Sequence, residues 1–518
     1  KIEKGKLIRS FGIVSLGTFI SRITGLIRLQ VIAYLFGYSQ ATDAFWFAFS
    51  IPNLLRALFA EGALSSGFIP VFSEYSSLKG DKEALKLANN VLNLLLIITG
   101  PFVILGIFLA PFYIPLIAVG FRQNFSQLKL TVYLTQIMWP FLLFISIAAL
   151  FMAVLNCRGH FTSPAFAPVL FNLSLVFFAW IFIDKIGIYS LAFGVVMGGM
   201  LHFFIQLPFL IKKGFKYRFT LCLKDEGTKK VLKLVLPAFL GGATLQASVL
   251  ITRIFASTLP EGSISALQYA MRLIQFPLGL FPIALSTAFF PHLSTLAAEG
   301  DREGIKKSVS MGMRVIFFLL IPSAVGLVML RKELVAVLFQ HGAFSLKDTL
   351  LTGQALFGYS IGLFAMGACM ILTRAFYSLQ DFLTPLKISF LSLLVSILFN
   401  FILIGPLKVE GLALATSLSS IFNMLALIYL LRKRLNDIEG YSILKSFIKS
   451  SFAGLSAGFF IYLLSRIFKY LGVGFSFPQM IFYVVLCVVS GFFIVIILSL
   501  LLKSEELNIA LSFLSRRK

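Results

Sequence analysis

The chain has 518 residues, of which 58% are hydrophobic and 13% are charged. Soluble chains are about 45–50% apolar and about 25% charged, so this composition excludes a soluble enzyme. Apolar stretches of about 20 residues, the length that a spanning helix needs, recur along the whole sequence, and the mean hydropathy is +0.94. In such a chain the net charge of +24 points to membrane topology and anionic lipid and not to nucleic acid.

Apolar runs between polar breaks predict fourteen spanning helices in an all-α polytopic membrane protein. In chain order they cover 8–36, 42–73, 88–117, 128–155, 162–183, 188–211, 231–257, 264–297, 309–330, 348–378, 385–404, 409–431, 446–470 and 478–502. The first follows a basic stretch and is too long for the apolar core of a signal peptide, so we expect it to be retained. Prolines such as Pro52, Pro277 and Pro282 predict kinks inside the spans.

The loop charges indicate the orientation. Most loop lysines and arginines, including those between Lys212 and Lys233, lie in the set of alternate loops that also contains both termini. Because basic loops stay in the cytoplasm, both termini are predicted to be cytoplasmic.

An internal repeat appears when the chain is compared with itself at an offset near 221 residues. The segment from Phe161 to Pro164 (FTSP) recurs as FLTP at 382–385, and Leu191-Ala192 recurs as Leu412-Ala413. The repeat predicts two six-helix lobes, 1–220 and 221–434, while the last two helices, in 435–518, fall outside it. Paired lobes of this kind are typical of transporters that alternate access to a central site.

Ionisable residues within the spans are the candidate substrate-binding groups. They are Arg22 and Arg28 on the first helix, Asp43, Arg56 and Glu61 on the second, Arg253 on the seventh and Arg272 on the eighth. Each arginine would cost about 2.5–3.5 kcal/mol in lipid, so we expect them to face water or one another. Guanidinium suits phosphate or carboxylate, which predicts an anion-binding cavity. The alternative is that Asp43 and Glu61 pair with arginines to hold the helices together.

The sequence lacks the motifs of several kinds of catalytic and metal-binding site. There is no GxxxxGK[ST] loop, HExxH or GxSxG motif, and the four cysteines are isolated, so an ATP-driven engine, a hydrolase site, a zinc site and a disulfide framework are not indicated. Few acids lie in the spans, which argues against a carboxylate proton relay. An ion gradient, the membrane potential or the substrate gradient would have to supply the energy.

The sequence of the first two helices resembles the MurJ (MviN) lipid II flippases of the multidrug/oligosaccharidyl-lipid/polysaccharide exporter superfamily. The resemblance lies in the run from Ser21 to Arg28 (SRITGLIR), in ATDAF at 41–45, PNLLR at 52–56, EGA at 61–63 and FIPVFSEY at 68–75. It extends to the helix count, the two lobes and the extra C-terminal pair.

The resemblance implies a bacterial inner-membrane flippase, not an enzyme, that moves lipid II to the periplasmic leaflet. Arginines matching Arg22, Arg28, Arg56 and Arg272 would meet the diphosphate in a central cavity, and the last two helices would form a groove for the lipid tail. The partners implied are lipid II, membrane lipids and cell-wall synthesis proteins. Where many relatives carry an acid after the second arginine this chain has Leu29, and where some carry a basic residue it has Ser50.

A sodium site in the C-terminal lobe of a relative suggests one here. Its ligands would be Thr252, Ser396, Asn400 and Thr416, none of them a carboxylate. Small polar residues also bond helix to helix, which is the alternative. For the whole chain the alternatives are a flippase for another lipid-linked oligosaccharide, a drug/cation antiporter, a membrane glycosyltransferase and a non-transporting scaffold for cell-wall synthesis.

Overall fold

The computed structural model describes residues 2–58, 64–222, 224–470 and 476–507, and these residues form helices and connecting segments with no strand. The prediction of an all-α membrane protein is confirmed. The helices are α1 Ile2–Phe36, α2 Gln40–Arg56, α3 Leu64–Leu78, α4 Asp81–Ile117, α5 Phe125–Met138, α6 Pro140–Cys157, α7 Thr162–Ile186, α8 Tyr189–Phe204, α9 Leu207–Lys212, α10 Glu226–Ser257, α11 Ser263–Leu280, α12 Pro282–Ala298, α13 Arg302–Met329, α14 Arg331–Phe339, α15 Leu346–Ile361, α16 Leu363–Ser378, α17 Leu383–Leu435, α18 Gly440–Tyr470 and α19 Phe477–Leu501.

Several predicted spans are broken helices. The span predicted at 128–155 divides into α5 and α6 ahead of Pro140, and the span predicted at 264–297 divides into α11 and α12 ahead of Pro282. A proline has no N–H to donate, so each fits at the start of the second piece. The span predicted at 348–378 is bent by 44° between α15 and α16. Conversely, the spans predicted at 385–404 and 409–431 form α17, which breaks at Lys408.

Nine helices in the described part of the chain are long and apolar enough to cross a membrane, or ten if the bent pair α15–α16 counts as one span. That count rests on length and composition and takes α17 as a single span. The number of fourteen stays a prediction.

The internal repeat also appears in the backbone. Positive φ angles occur at Gly80, Gly159, Gly187 and Gly214, and again at Gly300, Gln380, Lys408 and Asn436, which are displaced by 220 to 222 residues. Gly187 has φ 54° and ψ −133° after α7, and Lys408 has φ 49° and ψ −123° inside α17. At this position the two copies therefore turn with the same backbone geometry, although the second copy has a lysine where the first has a glycine.

The chain forms two compact units, residues 1–265 with 341–345 and residues 266–340 with 346–518. The first unit has a core in which Phe68, Phe72, Leu150 and Phe151 pack from α3 and α6. In the second unit Leu330, Ile461, Tyr483 and Cys487 pack where α18 and α19 meet the start of α14. The division into 1–220, 221–434 and 435–518 that the repeat predicts stays a prediction.

Candidate substrate site

Arg22 and Arg28 lie on α1, which is held to α7 by an amide side chain. Nδ2 of Asn172 donates to the carbonyl oxygen of Ser21 at 3.1 Å and to Oγ1 of Thr24 at 3.2 Å. The guanidinium of Arg28 lies over the ring of Phe171, 5.7 Å from its centroid. Arg22 is exposed and Arg28 is half-buried. The aromatic face orients the planar donor fork of Arg28 without neutralising its charge.

Arg56 is the last residue of α2, where a cation interacts favourably with the helix dipole. It is half-buried, and its Nε donates to Oδ1 of Asn53, one turn earlier, at 3.1 Å. His202 of α8 lies within electrostatic range of this guanidinium. The Nδ1 atom of His202 is buried and makes no hydrogen bond to any described residue. The guanidinium of Arg56 and the imidazole of His202 thus lie near one another in the first unit.

Asp43, in the first turn of α2, is bound by the chain segment that begins α11. Its Oδ2 accepts from the backbone N–H of Gly262 at 2.7 Å. Its Oδ1 accepts from the backbone N–H and the hydroxyl of Ser265, at 2.9 and 2.6 Å. Only 3% of Asp43 is exposed. The carboxylate therefore satisfies donors that a helix start leaves without intrahelical partners.

The remaining predicted site residues are Arg253, Arg272 and Glu61. Arg253 of α10 is half-buried and donates through its guanidinium to the carbonyl oxygen of Trp46. Arg272 of α11 belongs to the second unit, and its guanidinium donates to Oε1 of Gln275 at 3.3 Å. Glu61 lies outside the described residues. The substrate role of each of these residues stays a prediction.

The predicted sodium ligands divide between the two units. Thr252 belongs to the first unit, and its hydroxyl donates to the carbonyl oxygen of Ser248 at 3.0 Å. Ser396 and Asn400 lie one turn apart on α17 in the second unit, where both are buried. Their side-chain polar atoms make no hydrogen bond within the described chain. Thr416, farther along α17, donates to the carbonyl oxygen of Leu412 at 3.2 Å.

Two features of this region were missed by reasoning from the sequence. The aromatic platform of Phe171 was hidden among 58 phenylalanines, and nothing in its neighbours distinguishes it. Asn172 and Asn53 carried a usable signal, because an amide inside an apolar helix must find a partner. Among the described residues, no group of three or more His, Cys, Asp and Glu side chains could hold a metal ion.

The fold and the cations within its spans define a multi-pass membrane transporter. An inward-facing multidrug transporter of the MATE family in the MOP superfamily has a similar fold, with a TM-score of 0.64, 17% identity and coverage of 82% of this chain and 98% of that one. A sequence profile described as "Lipid II flippase MurJ" matches residues 32–483.

Two relatives agree with the profile. The "Probable lipid II flippase MurJ" of Buchnera aphidicola subsp. Schizaphis graminum is 38% identical over 430 residues, which are 83% of this chain and 84% of the relative. A solved structure of "Lipid II flippase MurJ, inward closed conformation" has a TM-score of 0.80 and 30% identity, covering 94% of this chain and 97% of that one. The chain belongs to the MurJ family of lipid II flippases, a family of transporters and not of enzymes.

Proposed function

We propose that this protein moves lipid II across a bacterial inner membrane by alternating access, and that Arg22, Arg28, Arg56 and Arg272 bind its diphosphate. The relatives that share most of the chain are named for lipid II. The observation that carries the binding role is the half-buried Arg28, whose guanidinium lies over Phe171. A diphosphate offers several oxygens to such a planar donor fork.

The anion would also drive the conformational cycle. Closing a cavity around several arginines is unfavourable because charge is costly to take out of water. A bound diphosphate removes that cost, so it favours the closed state through its differential affinity. The broken helices α5–α6, α11–α12 and α15–α16 provide bending points for such a change. Release of the head group on the periplasmic side would then reopen the empty cavity.

Sodium is proposed as a secondary coupling ion. The buried polar atoms of Ser396 and Asn400 without hydrogen bonds to described residues support a small cation there. Because these oxygen ligands carry no charge, we expect sodium to bind weakly. Thermal unfolding with NaCl against KCl measures it, and equal midpoints for parent and Asn400→Ala in both salts would contradict this part of the proposal.

Binding to the purified protein in detergent tests the substrate site. Lipid II is titrated into the parent chain and into Arg28→Ala and Arg56→Ala, with undecaprenyl phosphate as the monophosphate ligand. A hydrogen bond to a charged group contributes about 1.5–3 kcal/mol, so each variant should lose roughly 10- to 100-fold in affinity. Arg466→Ala, an exposed arginine that lies beside Tyr462 on α18, is the matched control. Equal lipid II affinity in all four proteins would refute the arginine site.

A comparison of head groups separates this proposal from a flippase for another lipid-linked oligosaccharide. An undecaprenyl diphosphate that carries a different glycan keeps the diphosphate and changes the rest. Tighter binding of lipid II would support the peptidoglycan precursor as the substrate. Equal affinities would show that the protein recognises the diphosphate and not the rest of the head group. Transfer of lipid II between the leaflets of proteoliposomes then tests transport itself.

A further inference from the structure

The connection between α9 and α10 is fixed to α4 by three buried asparagines. Asn89 donates to the carbonyl oxygen of Lys216 at 3.0 Å and accepts from the backbone N–H of Arg218 at 2.9 Å. Asn93 donates to the carbonyl oxygens of Arg218 and Thr220 at 3.0 and 2.9 Å. The bonded residues alternate along the connection, which is the spacing of an extended chain.

The third amide completes the attachment. Oδ1 of Asn90 accepts from the backbone N–H of Cys222 at 2.6 Å, and its Nδ2 donates to the carbonyl oxygen of the same residue at 2.8 Å. The phenol of Tyr217 donates to Oδ1 of Asn93 at 3.0 Å. Residues 216–222 are thus held along one side. This extended connecting segment, which is not part of a sheet, is named the tethered strand.

The tethered strand presents unneutralised cations and large apolar side chains. Tyr217, Phe219 and Leu221 are 57%, 72% and 46% exposed, and they alternate with Lys216 and Arg218, which are also exposed. Within the described chain neither Lys216 nor Arg218 forms an ion pair. Aromatic side chains beside basic ones are the composition of segments that lie in the interface of an anionic membrane.

The exposed apolar residues of α4 fix the level of the tethered strand. They begin at Ile97 and end at Leu116, a rise of about 28 Å along the helix. That length matches the hydrocarbon thickness of about 30 Å. Asn93, which holds the strand, lies four residues before Ile97, or about 6 Å beyond the edge of this belt. The strand is therefore level with the phospholipid headgroups.

We propose that the tethered strand is a lipid-binding surface, in which Lys216 and Arg218 bind phospholipid phosphates and Phe219 enters the adjoining acyl region. The asparagine attachment pre-orders the backbone, so binding costs little conformational entropy. The occupant is an anionic phospholipid of the leaflet on that side. Its residues are not those proposed to bind the diphosphate, so the two proposals are tested independently.

Tryptophan fluorescence in nanodiscs tests the surface. Phe219→Trp is compared with the parent chain, whose own tryptophans are Trp46, Trp139 and Trp180, so that the difference spectrum reports the new indole. Nanodiscs contain phosphatidylcholine alone or with phosphatidylglycerol, and brominated acyl chains serve as quenchers. We expect a blue shift and bromine quenching of the added emission, both increasing with the phosphatidylglycerol fraction.

Charge removal provides the second arm. In the Phe219→Trp chain, Lys216→Gln with Arg218→Gln should abolish most of the dependence on phosphatidylglycerol, whereas Lys82→Gln with Lys433→Gln, which removes the same charge at two other exposed positions, should leave it unchanged. An indole with water-exposed emission in both lipids would overturn the proposal and leave the surface to a soluble partner. Equal insertion without phosphatidylglycerol, or an equal loss in the control, would overturn the headgroup role of the two cations.

Discussion

Ser265 donates twice to Oδ1 of Asp43, through its backbone N–H at 2.9 Å and through its hydroxyl at 2.6 Å. Gly262 adds a third bond to the other carboxylate oxygen. Asp43 lies three residues into α2 yet acts as the cap of a helix start more than 200 residues later in the chain. A residue expected to belong to the substrate cavity is therefore bound to backbone donors on both oxygens.

Removal of that carboxylate should destabilise the protein. Asp43→Ala leaves buried donors without an acceptor, each at about 1–3 kcal/mol, so we expect a loss of about 3 kcal/mol in the free energy of unfolding. Asp43→Asn keeps one acceptor oxygen and should lose less. Unfolding in mixed detergent micelles measures both, and a fully stable Asp43→Ala protein that fails to bind lipid II would show instead that Asp43 acts on substrate.

The planar guanidinium of Arg28 should contribute to lipid II affinity beyond its charge. Arg28→Lys keeps the cation but gives up the planar fork and the stacking on Phe171, so we expect lipid II affinity to fall about 10-fold. Phe171→Leu, which keeps the arginine and removes its platform, should give a smaller loss in the same titration. If Arg28→Lys binds as tightly as the parent chain, the site recognises charge alone.

The asparagine attachment of the tethered strand can be tested by proteolysis. Trypsin cleaves after Lys216 and Arg218. Asn93→Ala removes the two hydrogen bonds that the amide donates to the carbonyl oxygens of Arg218 and Thr220. With about 1 kcal/mol lost per bond, cleavage there should accelerate at least 10-fold. Asn423→Ala, on α17, is the control amide. Unchanged cleavage in Asn93→Ala would mean that the strand is held by other contacts.

Acid should release the chain that follows α19. Nε of Arg314 donates to Oε1 of Glu506 at 2.7 Å. Burial alone would raise the pKa of Glu506, but hydrogen bonds from a backbone N–H and from Arg314 outweigh it, so the pKa lies below the ordinary value of 4.5. A lowered pKa gives stability that is complete above 4.5 and is lost as the pH falls through the folded-state pKa.

Glu506→Gln is the variant that checks this. At neutral pH it should lower the free energy of unfolding by about 2 kcal/mol, because a hydrogen bond to a charged group is lost. Below the pKa of Glu506 the variant and the parent chain should converge. Glu505→Gln, at a carboxylate that is largely exposed, should change little at any pH, and a constant gap between parent and Glu506→Gln would contradict the assignment.

Lys408 carries backbone strain that glycine would relieve. Its φ of 49° and ψ of −123° fall where a side chain costs about 1–3 kcal/mol. Lys408→Gly should therefore stabilise the protein by about 1 kcal/mol after the entropy of glycine is subtracted. Lys387→Gly, at an exposed position of the same helix, should destabilise it by a similar amount. A lower unfolding midpoint for Lys408→Gly would show that the lysine side chain makes a compensating contact.

The helical class and the order of the apolar segments could be predicted from the sequence, because a spanning helix needs an apolar run that no other local rule imitates. The helix breaks were harder to place. Pro282 and Pro140 give a physical reason for two of them. The bend between α15 and α16 lies at Gly362, and nothing in the sequence distinguishes this glycine from many others in the chain. The break at Lys408 follows Gly405 and Pro406, which divide the predicted spans 385–404 and 409–431, but only its partner Gly187 in the repeat marks the exact residue.

The candidate site was predicted from the cost of charge in lipid, which selects residues but not their partners. That reasoning selected Arg28 and Arg56, both half-buried in the first unit, and their binding role stays a prediction. It could not assign Asp43 to Ser265, since the two are separated by 222 residues. It also did not identify Asn89, Asn90 and Asn93, which bond to backbone groups of the connection between α9 and α10. Every residue has such backbone groups, so the sequence does not show which of them an amide will bind.

The first unit contains a short piece of chain from far downstream, with a consequence for biosynthesis. The backbone N–H of Ala343 donates to the carbonyl oxygen of Tyr34 at 2.8 Å, and the ring of Phe344 meets that of Tyr38 with centroids 5.0 Å apart. Domains usually fold in the order in which the ribosome releases them. Here the earliest part of the chain cannot reach its final packing until residue 345 has been synthesised, so a nascent chain stalled near residue 265 would hold an unfinished unit in the membrane.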